Sequence, residues 1–142
     1  MEIKKKSTIL FLGDCITGAD RDLNNPNDLG HGYVERINDA IKNYRIKVVN
    51  RGVDENRTIN LLQQYEESVL AVKPDVVTIY IGMNDVWHHY SKGIETTNEE
   101  FENNFRSLLE KIKTDFNVPI IIIEPFIIDI TPELTKMREE LW

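Results

Sequence analysis

The chain has 142 residues, 41% hydrophobic and 29% charged, which suits a single soluble domain spanning 1–142 with a core of its own. A formal net charge of −7 and a pI near 5.0 speak against a nucleic-acid or anionic-membrane surface, because a phosphate backbone must be met by clustered Lys and Arg. One cysteine precludes an intrachain disulfide, no stretch approaches the roughly 20 apolar residues of a membrane span, and no signal-peptide pattern opens the chain, so a cytoplasmic location is expected.

The first element is set by Ile9, Leu10, Phe11 and Leu12, an apolar run that stops at Gly13. Such density, without alternation, predicts a strand buried on both faces, as at the centre of a parallel sheet. Gly13 is expected to adopt a backbone conformation closed to other residues and to present Asp14 and Cys15 at the strand's carboxyl end, where open α/β sheets bind ligands. Cys15 is the candidate reacting atom, set against the ordinary fate of a lone cysteine as inert core. Residues 18–30 form a polar, turn-rich loop, either a functional segment or surface slack.

A helix is predicted over 31–44, with Val34, Ile37, Ile41 and Tyr44 turned toward the sheet. Residues 45–50 read as a second strand ending in Arg51-Gly52. Thr58 is placed to cap a helix that carries Ile59, Leu62, Tyr65 and Val69 on one face before Pro74 forbids continuation. Residues 75–81 form a third strand leading into Gly82-Met83-Asn84-Asp85. Residues 86–96 are predicted as a loop bearing Trp87, His88, His89 and Tyr90. Thr97 with Glu100 has the form of a capping box, and Phe101, Phe105, Leu108 and Ile112 give the next helix its buried stripe. Residues 118–123 make a fourth strand, and Thr131-Pro132 opens a last helix.

Strand and helix alternate throughout, so the predicted architecture is α/β, a flavodoxin-like three-layer sandwich with a parallel sheet of order 2-1-3-4. In that order the connections leaving strands one and three go to opposite faces, opening a crevice between Gly13-Asp14-Cys15 and Gly82-Met83-Asn84-Asp85.

These blocks resemble the SGNH, or GDSL-type, esterase and lipase superfamily. Gly13-Asp14-Cys15-Ile16-Thr17 is similar to that family's Gly-Asp-Ser-Ile/Leu-Thr, with cysteine where the nucleophilic serine belongs. Asn50-Arg51-Gly52, with Thr58, resembles the second block, and Gly82-Met83-Asn84-Asp85 the third. Gly30-His31-Gly32-Tyr33-Val34 is similar to the entry of the family's first helix. The resemblance implies hydrolysis of an ester or thioester through a nucleophile at Cys15, with an oxyanion hole built from Cys15 N–H, Gly52 N–H and the Asn84 amide. No cofactor or metal is implied, and the partner is a small-molecule ester or acyl substrate. Asp14 and Asp85 are expected to support the turns, and Trp87 and His88 are candidate substrate contacts.

The family's final Asp-x-x-His block, which supplies the base, does not occur in the sequence, nor does the fifth strand. The chain is therefore expected to be an impaired, C-terminally shortened member, with a fourth-strand edge open to oligomerisation or segment exchange. His88 and His89 read as solvated loop or substrate-contacting residues rather than as a base, adjacent positions that point apart do not make a zinc pair, and His31 reads as structural. A catalytically inactive acyl- or carbohydrate-binding module is the alternative. A phosphotransfer role for Asp14 lacks the companion acidic residues for Mg²⁺.

Overall fold

In the computed structural model, which describes residues 3–128 and 131–141, the opening apolar run forms β1 (Thr8–Gly13). The other strands are β2 (Lys47–Gly52), β3 (Val76–Tyr80) and β4 (Ile120–Ile123), paired in parallel in the order β2-β1-β3-β4. Successive side chains of a strand point to opposite faces, and β1 sorts the core accordingly. Leu10 and Leu12 join Val49, Val77 and Ile79 under α3 (Thr58–Gln63) and α5 (Asn98–Phe116), which contribute Leu61, Leu108 and Ile112. Ile9 and Phe11 join Val48 and Val76 on the other face, closed by Val34 of α2 (Tyr33–Ile41). Each side chain fully buried in this way contributes about 1.5–3 kcal/mol. α1 (Cys15–Gly18) lies against β2, and α6 (Pro132–Leu141) packs on α4 (Met83–Lys92). No described helix is long and apolar enough to cross a membrane.

Several boundaries differ from expectation. α2 stops at Ile41, and a 3-10 turn over Lys42–Tyr44 leads to Arg45 in the left-handed region (φ 57°), so Tyr44 is swung out to 60% exposure rather than facing the sheet. β2 accordingly begins two residues later and runs on through Gly52. Thr58 is inside α3 and does not cap it. The Asn60 side chain accepts from Arg57 N–H, while Thr58 turns inward. The buried stripe is Thr58, Leu61, Tyr65, Ser68 and Val69, leaving Ile59 and Leu62 half-buried, and a π turn at Glu66–Leu70 brings both Ser68 and Val69 to the buried side.

The largest departure is the predicted loop over 86–96, most of which is helix. Gly82, at φ 129°, launches α4, and left-handed Gly93 closes it by donating its N–H to the His88 and His89 carbonyls. Its buried residues are Asn84, Asp85 and His88, all polar, so no apolar periodicity marks the helix. The capping box at Thr97 and Glu100 is present, with Thr97 N–H donating to Glu100 Oε2 at 2.9 Å.

Candidate active site

Parallel register sets Gly13 opposite both Gly52 and Tyr80, so the carboxyl ends of β1, β2 and β3 finish level. Gly13 lies in regular strand, and its role is space rather than unusual backbone conformation. A Cβ there would strike Thr17 Oγ1 and lie 2.5 Å from the Tyr80 carbonyl oxygen. Among the strand-end glycines only Gly82 uses a positive φ.

Asp14 caps α1, its Oδ1 accepting from Ile16 N–H at 3.0 Å. Burial outweighs that bond and raises the carboxyl above the usual range, with Asp85 and Asp54 adding repulsion. Cys15 is the first residue of α1 and is exposed. Its thiol is pushed up by partial desolvation and then by the charges of Asp14 and Asp54. The backbone N–H groups of Cys15 and Ile16 at the start of α1 pull it the other way but are outweighed, and no histidine is among the groups acting on it. α1 has four residues, and the charges acting on the sulfur are carboxylates.

Gly52 departs from its expected part. Its N–H donates to Asn50 Oδ1 at 2.8 Å inside the protein, so it offers no hydrogen to a substrate oxygen. A Cβ at Gly52 would collide with Gly18 N and come within 2.6 Å of the Thr17 carbonyl carbon, which explains the glycine by the packing of α1 on β2. Asn50, fully buried, completes this joint by donating Nδ2 to Thr17 O (2.7 Å) and Leu29 O (2.8 Å). The loop ahead of α2 is thereby pinned to the sheet.

Asn84 is buried and donates Nδ2 to Asn56 O at 3.0 Å, and Asn56 in turn donates its own Nδ2 to Gly13 O at 3.3 Å. The β1 end, the turn after β2 and the start of α4 are joined by these two bonds. An amide carries two donor hydrogens, so Asn84 has one beyond this contact. Asp85 accepts from Thr58 Oγ1 at 2.7 Å and from Thr58 N–H at 3.1 Å. Burial still raises its carboxyl, the Thr58 bonds opposing.

Between Gly52 and Asn56 the chain turns through Glu55 at φ 63°, a left-handed conformation costing roughly 1–2 kcal/mol in a residue with a Cβ. Its N–H has no partner among the described residues, and its carboxylate pairs with Lys92 at 2.6 Å. Asp54 N–H in the same turn likewise has no partner among the described residues, whereas Gly52 N–H is engaged. A non-glycine turn residue between Asp54 and Asn56 gives no strong sequence signal. Asn56 was equally unmarked, because an isolated polar residue looks the same whether it faces water or the interior, and Asn50 and Thr58 were marked only as members of the second block, not for the bonds they make.

Trp87 is 44% exposed on α4, and no described contact ties it to Cys15. His88, the other candidate substrate contact, is 6% exposed, about as buried as Asn84. One helical turn from Asn84, it points inward with Nδ1 unpaired, and burial together with Lys92 and Arg57 favours its neutral form. His89 stacks edge-on with Tyr90, and His31 faces solvent beside Glu35. Among the described residues no group of His, Cys, Asp and Glu is arranged to hold a metal ion.

Residues 11–141 match the sequence model of the GDSL-like Lipase/Acylhydrolase family. A search of characterised proteins finds an acetylxylan esterase of Geobacillus stearothermophilus, 35% identical over 141 aligned residues that cover 91% of this chain and 64% of the esterase. The chain thus spans a little under two thirds of that relative. Among solved structures, a catalytic mutant of Axe2, an acetylxylan esterase from the same organism, superposes with a TM-score of 0.89 at 33% identity, covering 99% of this chain and 69% of the other. Another Axe2 mutant, described as an acetyl-xylooligosaccharide esterase, gives 0.88 at 34% identity over the same shares.

Proposed function

This chain belongs to the GDSL-like lipase/acylhydrolase family, and on that premise we propose that its crevice binds a carboxylic ester or thioester and directs acyl transfer to Cys15. The Cys15 thiolate attacks the carbonyl carbon, the π electrons move to oxygen, and the oxyanion is met by Cys15 N–H, by the second hydrogen of the Asn84 amide and by Glu55 N–H in place of Gly52. Collapse of that intermediate expels the alcohol or thiol, which takes up a proton, and water then releases the acid. Preorganised donors of this kind are each worth about 2.7–4 kcal/mol. The observation that carries this reading is the bonded series from Asn84 through Asn56 to the Gly13 carbonyl, which fixes a side-chain amide at the strand end that bears Cys15. By analogy with the relatives, an acetylated xylo-oligosaccharide is the substrate to try first.

Turnover is expected to be slow. The charges acting on Cys15 are two carboxylates, none of the three histidines is among them, and a thiol held protonated is a poor nucleophile. Alkylation of Cys15 by iodoacetamide, followed by mass spectrometry, should accelerate only as pH climbs above the ordinary cysteine range. Fast labelling at pH 7 would show a base or cation at the sulfur. Cys15→Ser should gain little turnover of p-nitrophenyl acetate, and substantial turnover would likewise demand a base.

The same protonated thiol favours a second reading, a module that binds an acyl or sugar ligand without turning it over. Equal ester hydrolysis by the chain and by Cys15→Ala selects it, whereas an acyl adduct on Cys15 selects the hydrolase.

A further inference from the structure

Arg21 and Arg51 share a cleft of about 330 Å³ with Leu23, Val53, Gln64 and Glu67. Both guanidiniums are half-buried. Arg21 Nε donates to Gly52 O at 2.7 Å, and Arg51 Nη1 donates to Asn50 O at 2.9 Å and Pro26 O at 3.1 Å. Carbonyl acceptors orient the two planes without neutralising them. Neither arginine is in an ion pair among the described residues. Burial holds both below the ordinary arginine value, and Arg51 adds to the effect on Arg21. Two unneutralised like charges therefore sit in one cleft of a protein whose net charge is −7, and both Nη groups of Arg21 and Nη2 of Arg51 remain to donate. The negative charge felt by Arg51 comes from the exposed Glu67 and that felt by Arg21 from the half-buried Asp28, neither of them in an ion pair with its arginine.

We propose that this cleft is an anion subsite that receives a carboxylate or phosphate group carried on the substrate. Placing that group on an ester rests on the hydrolase reading above. The cleft's position fits the assignment. Arg21, Leu23 and Val53 also line a smaller adjoining cleft with Gly52 and the carboxylates Asp20 and Asp54, and Asp54 is one of the two carboxylates acting on Cys15. An acidic substrate would thus be repelled from the sulfur by Asp14 and Asp54 and drawn to the arginines beside it, leaving its neutral ester toward Cys15. Planar, multiply donating guanidiniums match carboxylate and phosphate oxygens in a way that ammonium groups do not.

The test is binding, read without turnover. Backbone amide shifts of the ¹⁵N-labelled chain are followed against D-glucuronate, inorganic phosphate and, as the neutral control, D-glucose. Saturable shifts at residues 21–25 and 51–53 are expected for the two anions and not for glucose, weakening as salt is raised. The tighter of the two anions identifies the group. Arg51→Gln and Arg21→Gln should each weaken binding about tenfold, the loss of one charge-assisted contact. Glu67→Gln, an exposed change that leaves the fold intact, should tighten it about threefold by removing the competing charge. No shift with either anion, equal shifts with glucose, or binding indifferent to all three substitutions overturns the subsite. Because no step depends on Cys15, anion binding without an acyl adduct defeats the hydrolase reading alone, and an adduct without anion binding defeats the subsite alone.

Discussion

β3 and β4 are neighbours of similar composition with opposite surroundings. Every residue of β3 is buried, while Ile121, Ile122 and Ile123 of β4 are 39%, 52% and 36% exposed. The difference shows that apolar sequence marks a strand, while burial on both faces comes from what packs around it. The candidate site is assembled at the enclosed side, from the ends of β1 and β2 and the residues after β3. There, polar groups such as Asn50 and Asp85 are held by two or three hydrogen bonds each.

Substitutions should separate these two sides. The largest effect is expected from Gly52→Ala, which forces a methyl group against Gly18 N and should cost about 3 kcal/mol, read as a lower urea midpoint. A smaller loss, about 2 kcal/mol, is expected from Asp85→Ala, which leaves the buried Thr58 N–H and hydroxyl unpaired. If either change proved neutral, the enclosed side would be looser than its geometry.

The pH dependence sharpens the same contrast. Burial raises both Asp14 and Asp85, so the folded state binds more protons than the unfolded state once pH exceeds the unfolded carboxylate value near 4. The contribution of these two groups to stability is therefore full below that value and is lost as pH rises through their folded pKa values. Asp85→Asn should flatten this part of the profile in denaturant titrations across pH 4–7, and an unchanged slope would refute it. The smallest effect on stability belongs to β4. Ile122→Lys should alter it by no more than about 0.5 kcal/mol. It should also suppress self-association through the open edge, which sedimentation at high concentration is expected to detect in the unsubstituted chain.

Much of the frame was legible in the sequence because apolar runs and glycine punctuation report strands and their ends. Ile9 to Leu12, Val76 to Ile79 and the Thr97–Glu100 box carry their structure in local pattern. Helix α4 was not legible, since its inward face is Asn84, Asp85 and His88, held by bonds to distant chain rather than by apolar contact. Gly52 misled for a related reason. A glycine needed for close packing and one needed for a substrate's approach are identical in sequence, and only the Asn50 contact tells them apart.

The series Asn84 to Asn56 to Gly13 also has a practical consequence for engineering. Three segments far apart in the chain behave there as one mechanical part, so transplanting any single loop from a homologue would tilt the other two. Swaps should succeed only when residues 13–18, 50–58 and 82–85 travel together.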